Sequence, residues 1–380
     1  MSGVGEMRVG VEVVMLSAPR AGVARYLVNM LSWMMRINPG IEFVLYSPGP
    51  VELMLPEGRW RLHADRNRQG RVANLWVQCR LPQLLAADRV SIFWGQNHFL
   101  PLRLQHHCRR ILTVHDITAL LFPQTMHPRS RLGAAVFLRK AVKLADRVVA
   151  VSKKTASLLE LFLGARERVS VIYPGRAEVF QPVERQQAQR AVAARYALPE
   201  QFLLTVGTIE PRKNYGLLLR ALAEMPDMPL LVLVGQPGWR CESIVSELRA
   251  WEKKGRVRIL TGVEDEDLRL IYGAAILTVI PSLYEGFGSP VVEAMACGCP
   301  VLCSWTASLP EVGGRAARYF RSNDVTDLVG KLKALLASPA VLEQMREDGL
   351  KQAQSFSYEQ AARQMLDLIQ LEKKSLVGQT

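Results

Sequence analysis

Short runs of β-branched and aliphatic residues alternate along the chain with longer stretches whose apolar positions recur every three or four residues. In the first half this pattern predicts strands at Val9–Leu16, Ile41–Tyr46, Ser91–Trp94, Ile111–Val114, Arg147–Val151 and Val169–Ile172. Helical spacing lies between them at Val23–Arg36, Val72–Leu85 and Arg129–Leu144. The second half repeats the theme, with strands at Phe202–Val206, Leu230–Val234, Val257–Leu260, Leu277–Ile280 and Val301–Cys303. Helices are predicted there at Tyr215–Glu224, Glu242–Lys254, Glu264–Ala274 and Val291–Ala296. Strands that are apolar at nearly every position are covered on both faces, as in parallel sheets flanked by helices. The pattern runs, restarts and runs again, which implies an α/β chain of two doubly wound domains.

Tyr173-Pro174-Gly175 closes the first run, and the polar, helix-prone segment Gln181–Arg195 leads to Leu198-Pro199-Glu200. The expected division is an N-terminal domain over 1–175, a linker over 176–199 and a C-terminal domain over 200–355. Beyond about residue 320 the pattern is helical only, at Asp324–Leu336, Ala340–Gln354 and Tyr358–Lys373. The last of these, within 356–380, can cross back to the N-terminal domain.

Composition narrows the class. Of 380 residues, 49% are hydrophobic, enough for buried cores and too many for wholesale disorder. The opening MSGVGEMRVGVEVVML does not read as a signal peptide. The main uncharged apolar stretch, between Arg269 and Glu285, is interrupted by Gly273 and Pro281 and falls short of the ~18 residues of a spanning helix. These features suggest a soluble or peripheral protein of a reducing compartment. No CxxC pair occurs among the six cysteines, so Cys297, Cys299 and Cys303 read as small buried thiols rather than a zinc cluster. Charge is uneven: residues 1–175 carry 24 Lys+Arg against 11 Asp+Glu, whereas 176–380 carry 24 of each. The net +13 therefore belongs to the first half, which is expected to meet an anionic partner.

Two loops carry the chemistry. Tyr284-Glu285-Gly286-Phe287-Gly288-Ser289-Pro290-Val291-Val292-Glu293-Ala294 follows a strand and opens a helix, with Ser289 suited to the N-cap and Pro290 to the first helical position. Glycines let the backbone approach a ligand, and N–H groups at a helix N-terminus attract phosphate. Glu285, before the helix, and Glu293, in its first turn, are placed to accept hydrogen bonds from sugar and ribose hydroxyls. The second loop, Gly207-Thr208-Ile209-Glu210-Pro211-Arg212-Lys213-Asn214, sets adjacent cations after a glycine turn, a pattern fit to neutralise a pyrophosphate. Asp265-Glu266-Asp267 could suggest a metal, but acids at a helix start complement its dipole.

EGFGSPVVEAMACGCP together with GTIEPRKN resembles the family 4 retaining glycosyltransferases of the GT-B fold, two Rossmann-like domains facing each other across a cleft. The likeness extends to Thr261–Leu268, Val114-His115-Asp116 and Gly22-Val23-Ala24-Arg25-Tyr26. It implies a C-terminal domain that binds the nucleotide sugar and an N-terminal domain that holds the acceptor. On that resemblance Arg212 and Lys213 hold the diphosphate, Glu293 the ribose, and Glu285 with the backbone of Gly286, Phe287, Gly288 and Ser289 the donor hydroxyls. Gly207 and Thr208 line the diphosphate turn, Gly262 and Val263 edge the base, Gly22 approaches the donor phosphates, and His115 contacts the transferred sugar. His98 and Asp116 are acceptor-side candidates. His63, His106, His107 and His127 read as surface or local hydrogen-bonding residues.

The reaction so implied moves a hexose with retained configuration and needs no metal or other cofactor. Mannose or D-rhamnose from a GDP-sugar is the expected donor, with UDP-glucose and UDP-N-acetylglucosamine as rivals. The expected acceptor is a polyprenyl-diphosphate-linked glycan of bacterial O-antigen or lipopolysaccharide synthesis, met on the anionic inner face of the cytoplasmic membrane. Val23–Arg36, with Met30, Trp33, Met34 and Met35, reads equally as an interfacial helix or as a core helix. A dehydrogenase would need GxGxxG after the first strand, and Gly3-Val4-Gly5 precedes it. No basic–aromatic motif supports nucleic-acid binding. A nucleotide-sugar epimerase and a non-catalytic anion binder are the more remote alternatives.

Overall fold

The computed structural model describes residues 7–17, 22–51, 53–65, 71–96, 100–105, 107–125 and 128–377, with side chains at all of these except 71–74, 128–132 and 377. Two compact units emerge: residues 1–117, 132–175 and 357–380 form the first, and 118–131 with 176–356 form the second.

From the N-terminus the elements are β1 (Arg8–Glu12), α1 (Gly22–Ile37), β2 (Glu42–Ser47), β3 (Trp60–Ala64), α2 (Arg71–Cys79), α3 (Leu81–Ala87), β4 (Ile92–Gly95) and β5 (Arg109–Val114). They continue with α4 (Thr118–Leu121), α5 (Pro128–Leu144), β6 (Arg147–Ala150), α6 (Lys153–Leu163) and β7 (Val169–Val171). All pairings in this sheet are parallel, in the order β3-β2-β1-β4-β5-β6-β7. Order reverses between β1 and β4, so loops after β1, β4 and β5 share one edge of the sheet. The strand predicted at Val9–Leu16 is shorter than expected, because Val14–Ser17 coils into a 3-10 turn. The helix predicted over Val72–Leu85 is two helices. Pro82 sits in the first turn of α3, where its missing N–H is tolerated, and would break a continuous helix.

The second unit holds α7 (Arg185–Tyr196), β8 (Phe202–Val206), α8 (Tyr215–Glu224), β9 (Leu230–Val234), α9 (Glu242–Lys253), β10 (Val257–Leu260), α10 (Asp265–Ala274) and β11 (Leu277–Ile280). It closes with α11 (Ser289–Ala296), β12 (Val301–Ser304), α12 (Leu309–Gly313), β13 (Arg318–Phe320), α13 (Val325–Leu336) and α14 (Pro339–Ala353). This parallel sheet runs β10-β9-β8-β11-β12-β13, with its reversal between β8 and β11. Residues 176–199, expected as a linker, fall within this unit, and α7 packs against α10. β3 and β13 were absent from the strand predictions. Both are edge strands, and β3 is half-exposed with mixed polarity, so neither shows a continuous apolar run.

The final helix, α15 (Tyr358–Val377), belongs to the first unit and packs along α1. The two helices share a core in which Leu27, Met30, Leu31 and Met34 of α1 are buried with Ala362, Met365 and Ile369 of α15. That overturns the interfacial option for Val23–Arg36: its methionines are core, and Trp33, half-buried, lies under the guanidinium of Arg36. Glu372 of α15 is buried against Arg147 at 2.7 Å and Arg109 at 3.2 Å. Among the described residues no helix is long and apolar enough to cross a membrane.

Candidate active site

The loops after β8 and β11 flank the point where strand order reverses in the second unit, the place where open α/β sheets leave a crevice. Three local features draw the loops together. Gly207 has φ +146°, and a Cβ there would stand 3.1 Å from Lys213 Cε and 3.2 Å from the Tyr215 hydroxyl. Glycine is therefore required where the loop folds under Lys213. Pro211 starts a 3-10 turn through Lys213 that Asn214 ends in the left-handed region at φ 56°. Asn214 Nδ2 then donates to the Pro281 carbonyl at 3.3 Å, and the Leu283 amide donates to the Arg212 carbonyl at 2.8 Å.

Arg212, Lys213 and Glu285 meet as a result. Lys213 Nζ donates to Glu285 Oε1 at 2.6 Å, and Ser282 Oγ donates to the same oxygen at 2.6 Å. Arg212 Nη1 donates to Glu285 Oε2 at 2.8 Å and to the Tyr284 carbonyl at 2.6 Å, while Nη2 is paired with Glu210. Lys213 is 9% exposed and Glu285 7%. Burial alone would push the Glu285 carboxyl up. The Lys213 and Arg212 charges, with hydrogen bonds from Lys213 and Ser282, overrule it and hold the group down at about 2. Glu285 is thus a carboxylate that fixes two cations, and most of its acceptor sites are occupied.

The carbonyls of the same loop are held from behind. Ser304 Oγ donates to the Ser282 carbonyl at 2.5 Å, Thr306 Oγ1 to that of Leu283 at 3.0 Å, and Ser308 Oγ to those of Glu285 and Phe287 at 2.8 and 2.7 Å. Phe287 turns its ring edge-on to Phe356.

Two expectations about α11 are corrected. Its cap is Gly288, at φ +104°, and not Ser289, which is the first helical residue. A left-handed residue at the cap is open to glycine, and no side chain caps this terminus. Glu293 lies one turn deeper than expected and is buried, accepting from the Tyr272 hydroxyl at 3.1 Å. Of the two residues expected to edge the base, Gly262 is exposed with φ +68° and Val263 is half-buried before α10; Thr208 is exposed beside Gly238. Asp267 is occupied by Arg195 and by the Tyr196 hydroxyl at 2.6 Å, so it ties α10 to α7.

In the first unit, His115 and Asp116 follow β5, and the Tyr26 ring meets the His115 ring edge-on at 4.9 Å. Tyr26 is one turn into α1, which Gly22 begins, so Gly22 and His115 belong to one end of this sheet. Among the described residues, a Cβ at Gly22 would touch nothing within 4 Å. His98, His106 and His127 lie outside the described residues. His63 stacks on Tyr46 and reaches Asp88 at 3.1 Å, while His107 is exposed. Among the described residues all six cysteines are free thiols, with those at 297, 299 and 303 buried.

Sequence reading missed Glu210, Ser282, Ser304, Thr306 and Ser308 as supports of this site. Glu210 had a signal, since it sits inside the cationic motif. Ser304, Thr306 and Ser308 had none, because they act through contacts 21 to 23 residues away in sequence, whereas Ser282 lies only three residues before the Glu285 it supports.

Comparison with known proteins agrees with this architecture. Residues 190–352 match the family described as Glycosyl transferases group 1, and residues 20–176 match Glycosyltransferase Family 4. The chain is 30% identical to the O-antigen chain mannosyltransferase B of Escherichia coli over 376 residues, covering 93% of this chain and 97% of that protein. Among solved structures, the sucrose-phosphate synthase of Thermosynechococcus elongatus superposes with a TM-score of 0.78 at 20% identity, over 96% of this chain and 98% of that one. Anabaena HepE in complex with UDP and glucose gives a TM-score of 0.76 at 17% identity, over 96% and 99% of the two chains.

Proposed function

The chain belongs to the family 4 glycosyltransferases, and on that premise we propose that it transfers a mannosyl or D-rhamnosyl residue from a GDP-sugar, with retained configuration, to a lipid-linked glycan of O-antigen assembly. The observation that carries the reading is the pair of cations, half-buried Arg212 and buried Lys213, both held by Glu285 on the loop that leads into α11. The barrier to sugar transfer is charge separation, as an oxocarbenium-like sugar forms while diphosphate departs. Fixed cations and helix N–H groups stabilise the departing oxygens without reorganising, an effect that removal of one donor typically reveals as ~10²–10³ in rate. Arg212 and Lys213, positioned by Glu210 and Glu285, present N–H donors to the departing oxygens beside a helix N-terminus, and metal-independent turnover is part of this proposal.

The roles proposed are those that the family resemblance implies. Arg212 and Lys213 grip the diphosphate. Glu285 orients both cations and offers its remaining lone pairs to donor hydroxyls, while Glu293 serves the ribose. Gly262 and Val263 edge the base. In the first unit His115, braced by Tyr26, meets the transferred sugar, and Asp116 faces the acceptor. Glu285 is already committed to Lys213, Arg212 and Ser282, which argues against a covalent nucleophile there. Attack from the face the diphosphate leaves, with the leaving phosphate taking the acceptor proton, is the mechanism proposed. Mannose is favoured because the relative spanning nearly the whole chain is named a mannosyltransferase.

A thermal-shift panel of GDP, UDP, ADP and dTDP, each with and without EDTA, tests the proposal. A ligand at 100 times its Kd stabilises by about 2.7 kcal/mol, and GDP alone should do so, unchanged by EDTA. A shift confined to UDP replaces the donor. No shift from any nucleoside diphosphate removes the function.

A further inference from the structure

In the first unit, the C-terminal half of α5 exposes Val136, Arg139, Lys140 and Lys143, which recur at i, i+3, i+4 and i+7 and so share one helix face. The opposite face, with Leu138, Ala141 and Val142, is buried. Beside it ends α6. Phe162 continues the buried stripe of Thr155, Leu158 and Leu159 past the edge of the core and is 40% exposed. Leu161 stands off that stripe altogether at 74%, and Val136 on α5 is 41% exposed. Gly164 then caps α6 at φ +63°, in the left-handed region, so the chain turns sharply just after the apolar pair. The two helix ends are neighbours: Arg139 Nη1 approaches the Phe162 carbonyl at 3.5 Å, and Arg168 Nη1 caps the end of α5 at the carbonyls of Lys143 and Ala145, at 3.2 and 2.7 Å. Arg166, 80% exposed along its side chain, adds a further cation and is shared with Glu160 at 3.3 Å.

We infer that this tip, Leu161 and Phe162 rimmed by Arg139, Lys140, Lys143 and Arg166, is the surface by which the protein docks on an anionic lipid bilayer. The inference rests on the reading of the basic first half as the half that meets an anionic partner. Charge complementarity alone would fit any polyanion, and the apolar pair chooses among them. An aliphatic side chain as exposed as Leu161 gains nothing from a phosphodiester backbone, whereas acyl chains below a layer of anionic headgroups accept both it and Phe162 while the cations stay among the phosphates. The tip lies at the end of α6 remote from Ser152 and the loop after β6, so docking there leaves the ligand edge of this sheet uncovered.

The test is flotation of the full chain with vesicles of phosphatidylethanolamine and phosphatidylglycerol, set against vesicles of phosphatidylcholine alone. Wild type should float with the anionic vesicles only, and less at 0.5 M salt. Leu161→Ser with Phe162→Ser should lower the bound fraction by ~10-fold or more, and Lys140→Gln and Lys143→Gln by ~5-fold each. All four residues belong to the first unit and the loops after β8 and β11 to the second, so the nucleotide-induced thermal shift should match wild type and certify folding. Wild type that floats while these variants float equally well overturns the assignment of the tip but leaves a membrane partner standing. Wild type that ignores anionic vesicles overturns both. Concentration-dependent sedimentation abolished by the Leu161 and Phe162 changes would make the tip a self-association surface instead, as salt-sensitive retention on DNA would make it a nucleic-acid one.

Discussion

Lys213 Nζ lies 2.6 Å from Oε1 of Glu285, a residue 72 positions further along the chain. The contact closes the turn after β8 onto the loop after β11, and Arg212 completes the clamp from the other carboxylate oxygen. Lys213→Ala removes one of the two cations while Arg212 still neutralises Glu285. Transfer should fall by ~10²–10³ in kcat with the fold retained, checked by steady-state kinetics beside circular dichroism. Near-normal turnover would remove Lys213 from the site.

The same cluster makes stability depend on pH. Glu285 is held at about 2, below its ordinary 4.5, so its contribution is fully present above about pH 4.5 and is lost as pH falls toward 2. At ~1.4 kcal/mol per unit this amounts to about 3 kcal/mol. Urea unfolding at pH 7, 5, 4 and 3 should show a steep decline in wild type below pH 5. Glu285→Gln should be less stable at pH 7 and show a shallower decline.

Ser308 spends one hydroxyl on two buried carbonyls of the loop after β11. Ser308→Ala leaves both without it, at a cost of about 1–3 kcal/mol. Because those carbonyls belong to Glu285 and Phe287, donor KM should rise as well. Ser308→Thr, which keeps the hydroxyl, should restore KM more than stability; a KM equal to wild type in Ser308→Ala would confine the serine to a structural role.

Glycines at comparable turns should respond differently. A Cβ at Gly235 would lie 2.0 Å from the Gly207 carbonyl oxygen, with backbone unable to yield cheaply. Gly235→Ala should therefore lower Tm sharply. Gly22→Ala meets no atom of the described residues within 4 Å and should leave Tm unchanged, so any rise in donor KM reports a ligand approaching that backbone.

Glu372 is fully buried between arginines that are 25% and 32% exposed. Solvent screens part of the loss, so Glu372→Ala should cost about 2 kcal/mol rather than the 3–5 of a fully buried pair. Hydrogen exchange should rise over α15 and α1 and stay unchanged over β8 and β11.

Much of the fold was legible in the chain because buried parallel strands are apolar on both faces. Phe202–Val206 and Leu277–Ile280 carry that signal in full. Half-exposed edge strands do not, which is why Trp60–Ala64 was missed, and a helix signal cannot say where the helix packs. Val23–Arg36 has an apolar face that suits a membrane as well as a core, and only α15, arriving from the far end of the chain, decides for the core.

By itself the sequence determined the two α/β repeats, the cationic turn at Arg212-Lys213 and the glycine-rich entry to α11, because each is a local pattern whose physical meaning is complete within a dozen residues. Only the tertiary structure decided that Glu285 is a clamp for those cations, that Gly288 caps α11, that Asp267 is bound to Arg195 and Tyr196, and that Glu372 anchors α15. Each of these depends on which groups meet across long loops, and the strength of an electrostatic contact is set by distance and burial, neither of which is written in sequence spacing.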